Sequence, residues 1–441
     1  MKLFSFQGGV HPAYRKELSG QREIKEAGIP EQLVIPLSQH IGAPCEPGVA
    51  AGDRIKEGQV IGKTVSFVSA PVHSPVSGKV KKIEKSLHPL GQKVLSIIIQ
   101  PDDEGARDYM KPLGKKASEL DSKDILTRIT DAGIVGMGGA TFPAHVKFSP
   151  PKDKPIDTLI INGCECEPYL TADHRLMVEM PEYIISGAKM IGKVLDVKEI
   201  VIAVESNKPD AVEKLEKAGD EGDILCVLTK TKYPQGAEKM LIKAVLNREV
   251  PSGGLPMDVG VVVSNVGTAL AVCESVRDGK PLIERVVTIT GNGVKNPGNF
   301  FVKIGTPVKH LIEQAGGTAG NIGKCIMGGP MMGIAQASLD VPVIKGTSGI
   351  LIMQEADYMQ EGYLPCIKCS FCVQVCPVNL LPSKLSVIAE AKRWDLADNY
   401  GVNDCIECGC CEYVCPGKRP IVQFIKTAKI KVREIKEREK K

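Results

Sequence analysis

The feature that most constrains this chain is a cysteine pattern that occurs twice near its carboxyl end. Each copy has the spacing C-x-x-C-x-x-C-x-x-x-C, and a proline directly follows its fourth cysteine. The first copy consists of Cys366, Cys369, Cys372 and Cys376, and the second consists of Cys405, Cys408, Cys411 and Cys415. A spacing this regular, repeated with its proline, indicates that the eight thiols share one chemical task.

The spacing predicts two 4Fe–4S clusters, because this run is typical of bacterial two-cluster ferredoxins. Three cysteines on a tight loop bind one cluster, and the fourth is directed by the following proline toward the other cluster. We therefore assign Cys366, Cys369, Cys372 and Cys415 to one cluster, and Cys405, Cys408, Cys411 and Cys376 to the other. Zinc ribbons use pairs of C-x-x-C instead of triplets followed by C-P, so zinc is the weaker alternative.

The composition indicates an ordinary globular protein. The 441 residues are 43% hydrophobic and 24% charged, which allows about three domains. We expect neither a transmembrane span nor a secretion signal, since the sequence has no apolar run of about 18 residues and no basic and apolar leader. The seven other cysteines follow no framework spacing, so a reducing, cytosolic setting without disulfides is expected.

The end of the chain is basic. Residues 426–441 hold eight Lys or Arg and three Glu, whereas the net charge of the whole chain is only +4. Ile425, Ala428, Val432 and Ile435 recur at helical spacing, which predicts a basic amphipathic helix. Such a helix is either a solvated helix end or a docking element for an acidic partner or an anionic membrane surface.

Short strands and tight turns are predicted near the amino terminus. Residues 49–80 alternate apolar and polar side chains between Gly, Asp and Pro. The phrases GDRIKEGQVI and SPVSG resemble the lipoyl or biotinyl carrier fold, a barrel-sandwich hybrid. Between Thr64 and Gly78 there is no lysine to carry a prosthetic group, so a structural or docking role is expected.

The middle of the chain alternates helix-like and β-branched segments, which predicts a doubly wound parallel sheet. A helix is predicted over residues 121–133, and residues 285–317 have the pattern of a small β-grasp module similar to the SLBB module. The expected fold is α/β multidomain. The predicted units are a barrel-sandwich hybrid (1–115), a flavin and NADH-binding α/β domain (120–280), the β-grasp module (281–345), a helical ferredoxin-type domain (355–425) and the basic tail (426–441).

A flavin site is expected because iron–sulfur clusters take one electron at a time, whereas nicotinamides give two. The segment GMGGATFPAHVKF has three glycines that allow close backbone approach and a lysine, Lys147, that can meet a phosphate. An ordinary turn is the alternative. The segment NGCECEPYLTADHR follows a predicted strand and brings Asn162 and the carboxylates of Glu165, Glu167 and Asp173 to a strand end, where they can meet a flavin edge or a dinucleotide. A charged surface loop is the alternative.

These segments, with YPQGAEKML and VVSNVGTAL, resemble the flavin-carrying NADH dehydrogenase subunit of respiratory complex I. Together with the amino-terminal FSFQGGVHPAYRKELSG and the doubled cysteine run, the chain resembles the C-subunit family of the Rnf complex over nearly all of residues 1–425. That family couples NADH and ferredoxin to ion translocation. The resemblance implies noncovalent FMN, NADH docking over the flavin, two 4Fe–4S clusters, and a peripheral position on the cytoplasmic face beside integral membrane partners.

The resemblance also implies roles for individual residues. Flavin contacts are implied for Gly136, Gly138, Gly139, Lys147, Asn162 and Asn265. Dinucleotide contacts are implied for Phe142, Glu165, Glu167 and Glu238, and the rest of the pocket for Tyr233, Gly236 and Thr268. The chain departs from the complex I pattern at Met137, Cys164, Ala237 and Ser264, which removes polar contacts.

The expected function is electron input: a hydride passes from NADH to FMN, and electrons then pass singly through the two clusters to a membrane partner, or in reverse. No side chain is expected to act as an acid or a base, because the cofactors supply the chemistry. One alternative is a soluble flavin and iron–sulfur cobalamin reductase. The other is a non-enzymatic electron-wiring scaffold subunit.

Overall fold

A computed structural model describes residues 3–114, 116–219, 224–357 and 362–439. Residues 358–361, at the start of the predicted ferredoxin-type domain, and Lys440 and Lys441 of the predicted tail lie outside the described residues. Five short 3₁₀ turns join the longer elements: Lys16–Leu18, Ala117–Glu119, Pro256–Val259, Glu355–Asp357 and Val402–Asp404.

The amino-terminal region forms two small antiparallel sheets that face each other. Before them comes β1 (Lys25–Glu26), which joins a later sheet. The strands of the two sheets are β2 (Leu33–Pro36), β3 (Glu46–Pro47), β4 (Arg54–Ile55), β5 (Val60–Lys63), β6 (Val72–His73), β7 (Gly78–Leu87) and β8 (Lys93–Pro101). One sheet has the order β2-β8-β7-β4 and the other the order β3-β5-β6. Alternate residues such as Ile35, Ile97 and Ile99 are fully buried between them, as expected for half-buried strands.

The next region is an α/β domain with a parallel sheet. It contains α1 (Ser122–Asp131), α2 (Ala144–Lys147), β9 (Thr158–Gly163), α3 (Ala172–Glu179), α4 (Pro181–Leu195), β10 (Glu199–Glu205), α5 (Pro209–Ala218), β11 (Leu225–Thr229), α6 (Glu238–Leu246), β12 (Val261–Asn265) and α7 (Val266–Arg277). The strand order is β11-β10-β9-β12, and all pairs are parallel. The side chain of Asp121 accepts from the Lys123 amide and caps α1, as its position in the sequence predicts.

A six-stranded mixed sheet follows. It adds β13 (Glu284–Thr290), β14 (Gly298–Lys303), α8 (Val308–Gln314), β15 (Ile322–Met327), β16 (Ile334–Gln336) and β17 (Gly349–Gln354). The order is β1-β14-β13-β17-β15-β16, so two strands of this sheet come from outside the predicted unit 281–345. The positions at which the chain divides into domains therefore stay a prediction.

The last region is a helical domain that holds both cysteine runs. Its helices are α9 (Phe371–Gln374), α10 (Pro382–Glu390), α11 (Trp394–Asn399), α12 (Cys410–Tyr413) and α13 (Ile421–Glu439). The predicted amphipathic helix is α13, whose Ile425, Ala428 and Val432 are buried in the core of this domain. The α/β multidomain fold class is confirmed. Within the ranges given above, no helix has both the length and the apolarity that crossing a bilayer requires.

Candidate functional site

The first part of the site is a crevice at the carboxyl edge of the parallel sheet. There β9 has β10 on one side and β12 on the other, so the strand order reverses between β9 and β12. Asn162 near the end of β9 is the register partner of Asn265 at the end of β12. Open α/β sheets bind ligands at such a switch point, and two segments predicted to bind the flavin meet here.

The glycine-rich loop forms one wall of this crevice. The Met137 amide donates to Thr268 Oγ1 at 2.9 Å, and a Cβ atom on Gly138 would lie 3.3 Å from Asn265 Cβ. Gly139 has a φ of +119°, and a Cβ atom there would meet nothing within 4 Å. The loop is therefore packed on its inner side and open on its outer side, where a cofactor can approach the backbone.

Two contacts fix the glycine-rich loop, one within it and one to α6. The Gly136 amide donates to the Phe142 carbonyl at 2.9 Å. At the other end, Lys147 Nζ lies 2.6 Å from Glu238 Oε1, and both side chains are about one-third exposed. Because Glu238 begins α6, this ion pair joins the glycine-rich loop to the YPQGAEKML segment at the solvent side of the crevice.

The two predicted asparagines hold the crevice together. Asn162 Nδ2 donates to the Gly236 carbonyl at 2.8 Å, and its Oδ1 accepts from the Cys164 amide. Asn265 Oδ1 accepts from the Gly267 amide at 2.9 Å, and its Nδ2 donates to Asp173 Oδ2 at 2.7 Å. Both amide groups therefore fix neighbouring loops, and their direct contact with a flavin stays a prediction.

The crevice fits a phosphate-bearing cofactor such as FMN. Gly138, Gly139 and Ala140 are exposed along the loop, so backbone amides lie beside open space. Lys147 adds a cation at the rim. Backbone amides at glycines together with one cation are a common arrangement for holding a phosphate.

Two side chains that were predicted to contact the dinucleotide form hydrogen bonds with backbone amides of the chain itself. Glu165 Oε1 accepts from the Asp173 amide at 2.7 Å, and so the carboxylate caps the start of α3. Glu167 accepts from the Met331 and Met332 amides at 3.1 and 2.8 Å. Burial raises the pKa of Glu167 to about 7, although these two donors oppose the shift. Direct contact of either carboxylate with NADH remains a prediction.

Tyr233 connects the crevice to the cysteine runs. Its hydroxyl donates to the Cys408 carbonyl at 2.7 Å, and the side chain is only 1% exposed. Three residues along, the Gly236 amide donates to Cys166 Sγ at 3.3 Å. The tyrosine predicted to complete the flavin pocket therefore reaches from the α/β domain to a cysteine run.

The eight predicted cluster ligands surround two cavities. One of them, here called the outer cavity, is lined by Cys366, Cys369, Cys372 and Cys415. The other, here called the inner cavity, is lined by Cys376, Cys405, Cys408 and Cys411, together with Cys410. In the described part of the chain, no three His, Cys, Asp or Glu side chains converge on a point suited to a single metal ion. Each set of thiols instead surrounds a space, and the two sets are grouped as crossed ligation requires. This grouping supports the assignment of ligands to the two clusters, which stays a prediction.

Two lysines beneath the NGCECEP loop, the half-buried Lys16 and the buried Lys208, were not predicted from the sequence. Lys16 Nζ donates to the carbonyls of Glu165, Glu167 and Leu170 at 2.7, 3.0 and 2.6 Å. Lys208 Nζ donates to the Cys164 carbonyl at 2.6 Å. Burial lowers the pKa of Lys16. Lys16 lies in a polar amino-terminal segment without helical or strand periodicity, so nothing in the sequence indicates that it binds these carbonyls.

Asp173 is the third carboxylate that the sequence places at this strand end, with Glu165 and Glu167. It receives the Asn265 amide and lies at the first turn of α3. Burial and the nearby Glu165 charge raise the pKa of Asp173 to about 7. Burial therefore favours the protonated form of this carboxyl group beside the crevice.

Four domain families match the chain in order. The RnfC barrel sandwich hybrid domain matches residues 4–104, and the Nuo51 FMN-binding domain matches 129–274. The SLBB domain matches residues 286–335, and the 4Fe-4S dicluster domain matches 365–418. These families confirm the prediction of FMN and two 4Fe–4S clusters as cofactors.

Relatives cover almost the whole chain. The C subunit of the proton-translocating ferredoxin:NAD(+) oxidoreductase complex of Clostridium ljungdahlii is 48% identical over 99% of this chain and 96% of its own length. The Na(+)-translocating counterpart of Acetobacterium woodii is 46% identical over 97% of each chain. The C subunit of the ion-translocating oxidoreductase complex of Rhodobacter capsulatus is 42% identical over 98% of this chain and 84% of its own.

Among solved structures, an NAD+-reducing [NiFe]-hydrogenase in the H2-reduced state has a similar fold. The TM-score is 0.51 at 18% identity, over 73% of this chain and 63% of that chain. The present chain is an electron-transfer protein with an FMN-binding domain and a 4Fe–4S dicluster domain. It belongs to the family of C subunits of Rnf-type ion-translocating ferredoxin:NAD+ oxidoreductase complexes.

Proposed function

We propose that this chain is the NADH-oxidising, or NAD+-reducing, electron-input subunit of a membrane-bound ion-translocating complex of the translocase class. It connects NADH to redox partners in the membrane through FMN and two 4Fe–4S clusters. The chain is peripheral, on the cytoplasmic side, and is held by integral membrane and flavin-carrying subunits, while ferredoxin reacts at another subunit. The names of the relatives support this proposal.

The residues that would hold FMN are those of the switch-point crevice. Gly138 and Gly139 offer backbone amides to the phosphate, and Lys147 offers a cation. Gly136 shapes the loop, because its amide already donates to the Phe142 carbonyl. When bound, the flavin supplies the exchange between a two-electron hydride donor and one-electron acceptors. Asn162 and Asn265 keep the surrounding loops at fixed positions through their own hydrogen bonds.

The dinucleotide would enter at the rim of the same crevice. Phe142 lies on the glycine-rich loop and Glu238 begins α6, and the Lys147–Glu238 ion pair joins these two segments. Because both side chains of that pair are partly exposed, water screens the pair and leaves it easy to rearrange. Thr268 holds the glycine-rich loop from below through the Met137 amide.

The contact between Tyr233 and Cys408 is the observation that carries the proposal. It joins a flavin-domain segment directly to the backbone of a predicted cluster ligand at 2.7 Å. The amino-terminal segment supports the same junction, since the Gly9 amide donates to the Val375 carbonyl beside Cys376 at 2.8 Å. The inner cavity therefore adjoins the flavin domain, and a cluster held there would be the one nearer to that domain.

The cluster ligands would be the thiolates of the two cavities. Cys376, Cys405, Cys408 and Cys411 would hold the inner cluster. Cys366, Cys369, Cys372 and Cys415 would hold the outer cluster. Lys429 on α13 donates to the Cys405 carbonyl at 2.8 Å and pairs with Glu407, so this helix ties the second cysteine loop in place.

Anaerobic reconstitution of the purified chain with FMN, iron and sulfide tests this function. Addition of NADH should bleach the cluster absorbance, and the chain should co-purify with integral membrane proteins from native membranes. Absence of bound flavin would favour a wiring scaffold instead. Reduction of cobalamin without membrane partners would favour a soluble reductase. A flavin-loaded chain whose clusters stay oxidised with NADH contradicts the proposal.

A further inference from the structure

The surroundings of the two cavities differ. Around the inner cavity, the Cys408 carbonyl binds Tyr233, and a Cβ atom on Gly409 would lie 3.0 Å from the Met331 carbonyl. The inner cavity is therefore covered by the α/β domain and by the loop after β15. Both cavities are lined by residues of the helical domain, and what distinguishes the inner one is the contact that its Cys408 and Gly409 make with other parts of the chain.

A group of apolar side chains is exposed beside the outer cavity. We call it the exit patch, and it consists of Tyr363, Leu364, Ile367 and Phe371. Ile367 is 69% exposed and lies between two predicted ligands of the outer cluster, while Leu364 is 62% exposed. Aromatic and aliphatic side chains that are clustered and exposed mark interaction surfaces.

Hydrogen bonds hold the backbone and the tyrosine of the exit patch in place. The Leu364 amide donates to the Gly417 carbonyl at 2.8 Å, which joins the first cysteine loop to the end of the second. The Tyr363 hydroxyl donates to Glu390 Oε1 at 3.0 Å, and Arg419 donates to the other oxygen of Glu390 at 2.6 Å. The patch is therefore a preformed surface, and its side chains are exposed on an ordered backbone.

A positive charge lies beside the exit patch. Lys368 is in the first cysteine loop and is exposed. The neighbouring carboxylate of Glu390 is engaged by Arg419, so it contributes little negative field. Positive charge around an apolar centre favours a partner whose own apolar contact surface has an acidic rim.

From these observations we propose that a redox-active subunit of the same complex, with an apolar contact surface and an acidic rim, docks on the exit patch. Electron tunnelling falls steeply with distance, so the acceptor must touch the surface nearest the outer cluster. The inference rests on the proposed function, because it takes the outer cluster as the last electron carrier of this chain. It adds the face and the chemistry of the partner.

The test compares Leu364→Glu with Ile430→Glu in the assembled complex. Ile430 is 53% exposed on α13 and lies outside the exit patch, so it is the matched control. We expect Leu364→Glu to retain its iron and to have both clusters reduced by NADH in the isolated chain. In the complex, it should slow NADH-linked electron transfer with ferredoxin about tenfold, whereas Ile430→Glu should match the unmodified chain.

A second variant tests the charge. Lys368→Glu should lower the rate in the complex at low salt, and this loss should shrink as ionic strength rises, since screening weakens both the native attraction and the new repulsion. A photo-crosslinking residue placed at position 364 should capture a redox subunit of the complex. Capture of lipid or of a second copy of this chain, or no product beyond the control, overturns the inference.

The outcomes separate the two proposals. If NADH fails to reduce the clusters in the unmodified isolated chain, the proposed function fails. If NADH reduces them but Leu364→Glu and Ile430→Glu behave alike in the complex, the docking face is wrong and the proposed function stands.

Discussion

One half-buried cation, Lys16, fixes the loop on which the proposed flavin site depends. Lys16 reaches three carbonyls of residues 165–170 with one ammonium group, and its position is set by the amino-terminal segment. The Tyr169 amide donates to the Tyr14 carbonyl at 2.7 Å, which continues the same contact along the backbone. The amino-terminal segment is therefore part of the crevice floor, although it is far from the crevice in sequence.

Replacement of Lys16 tests this role. Lys16→Met removes the donor for three enclosed carbonyls, so the free energy of unfolding should fall by about 3 kcal/mol or more. The variant should also bind FMN more weakly, because the NGCECEP loop loses its support. Lys214→Met, at an exposed position on α5, is the control. Denaturant unfolding and flavin titration measure both effects, and equal behaviour of the two variants contradicts the role.

Glu167 should make stability depend on pH. Burial raises its pKa from 4.5 to about 7. The folded protein therefore keeps a proton that the unfolded chain releases. This contribution to stability is fully present below about pH 4.5 and is lost as pH rises through about 7.

Glu167→Gln should remove that dependence. Relative to this variant, the unmodified chain should lose up to about 3 kcal/mol of stability between pH 4.5 and 7. Denaturant unfolding across this pH range measures the difference, with Glu23→Gln, an exposed position, as the control. Parallel stability curves for the unmodified chain and Glu167→Gln would show that the carboxyl group titrates normally.

At the scale of elements, local sequence patterns predicted the features that are determined by residues close together in the sequence. The cysteine spacing, the alternation of strands and helices, and the apolar face of α13 are local signals, and the elements formed as expected. The pairing of β1 with β14 joins residues near 25 to residues near 300, and no local pattern reports it. The direction of individual side chains could not be predicted either, because sequence spacing does not tell which side of a loop Glu167 or Tyr233 faces.

The exchange of a ligand between the two cysteine loops gives a prediction at this scale. Cys376→Ser should perturb the cluster bound by Cys405, Cys408 and Cys411, because Cys376 lines that cavity. Cys415→Ser should perturb the other cluster. Cys410→Ala is the matched control, since Cys410 is buried beside the ligands but falls outside the repeated spacing. Iron content and the electron paramagnetic resonance (EPR) spectrum of each variant distinguish the clusters, and the reverse pairing contradicts crossed ligation.

At the scale of the whole molecule, buried polar contacts join the domains around the crevice. Lys345, in the loop before β17, donates to the carbonyls of Pro71 and Gly133 at 2.8 and 2.6 Å. It thus connects the amino-terminal barrel to the end of α1, just before the glycine-rich loop. Burial lowers the pKa of Lys345 to about 7. The barrel has no carrier lysine at its hairpin, and its contacts with the site support a structural role.

The domain arrangement supports one order of sites along the proposed electron path. The crevice, Tyr233, the inner cavity and the outer cavity follow one another from the α/β domain to the exposed end of the helical domain. The flavin crevice and the cluster sites were each predicted from their own motifs. Their order depends on the contact between Tyr233 and Cys408, which are 175 positions apart, and could come only from the folded structure.

Rapid mixing of the reconstituted chain with NADH, followed by freezing and EPR, tests that order most directly. The Cys376→Ser and Cys415→Ser variants assign the signals to the inner and outer clusters. We predict that the inner cluster, held by Cys376, Cys405, Cys408 and Cys411, is reduced first and that the outer cluster follows. Reduction of the outer cluster first, or oxidised clusters beside a reduced flavin, would contradict the account.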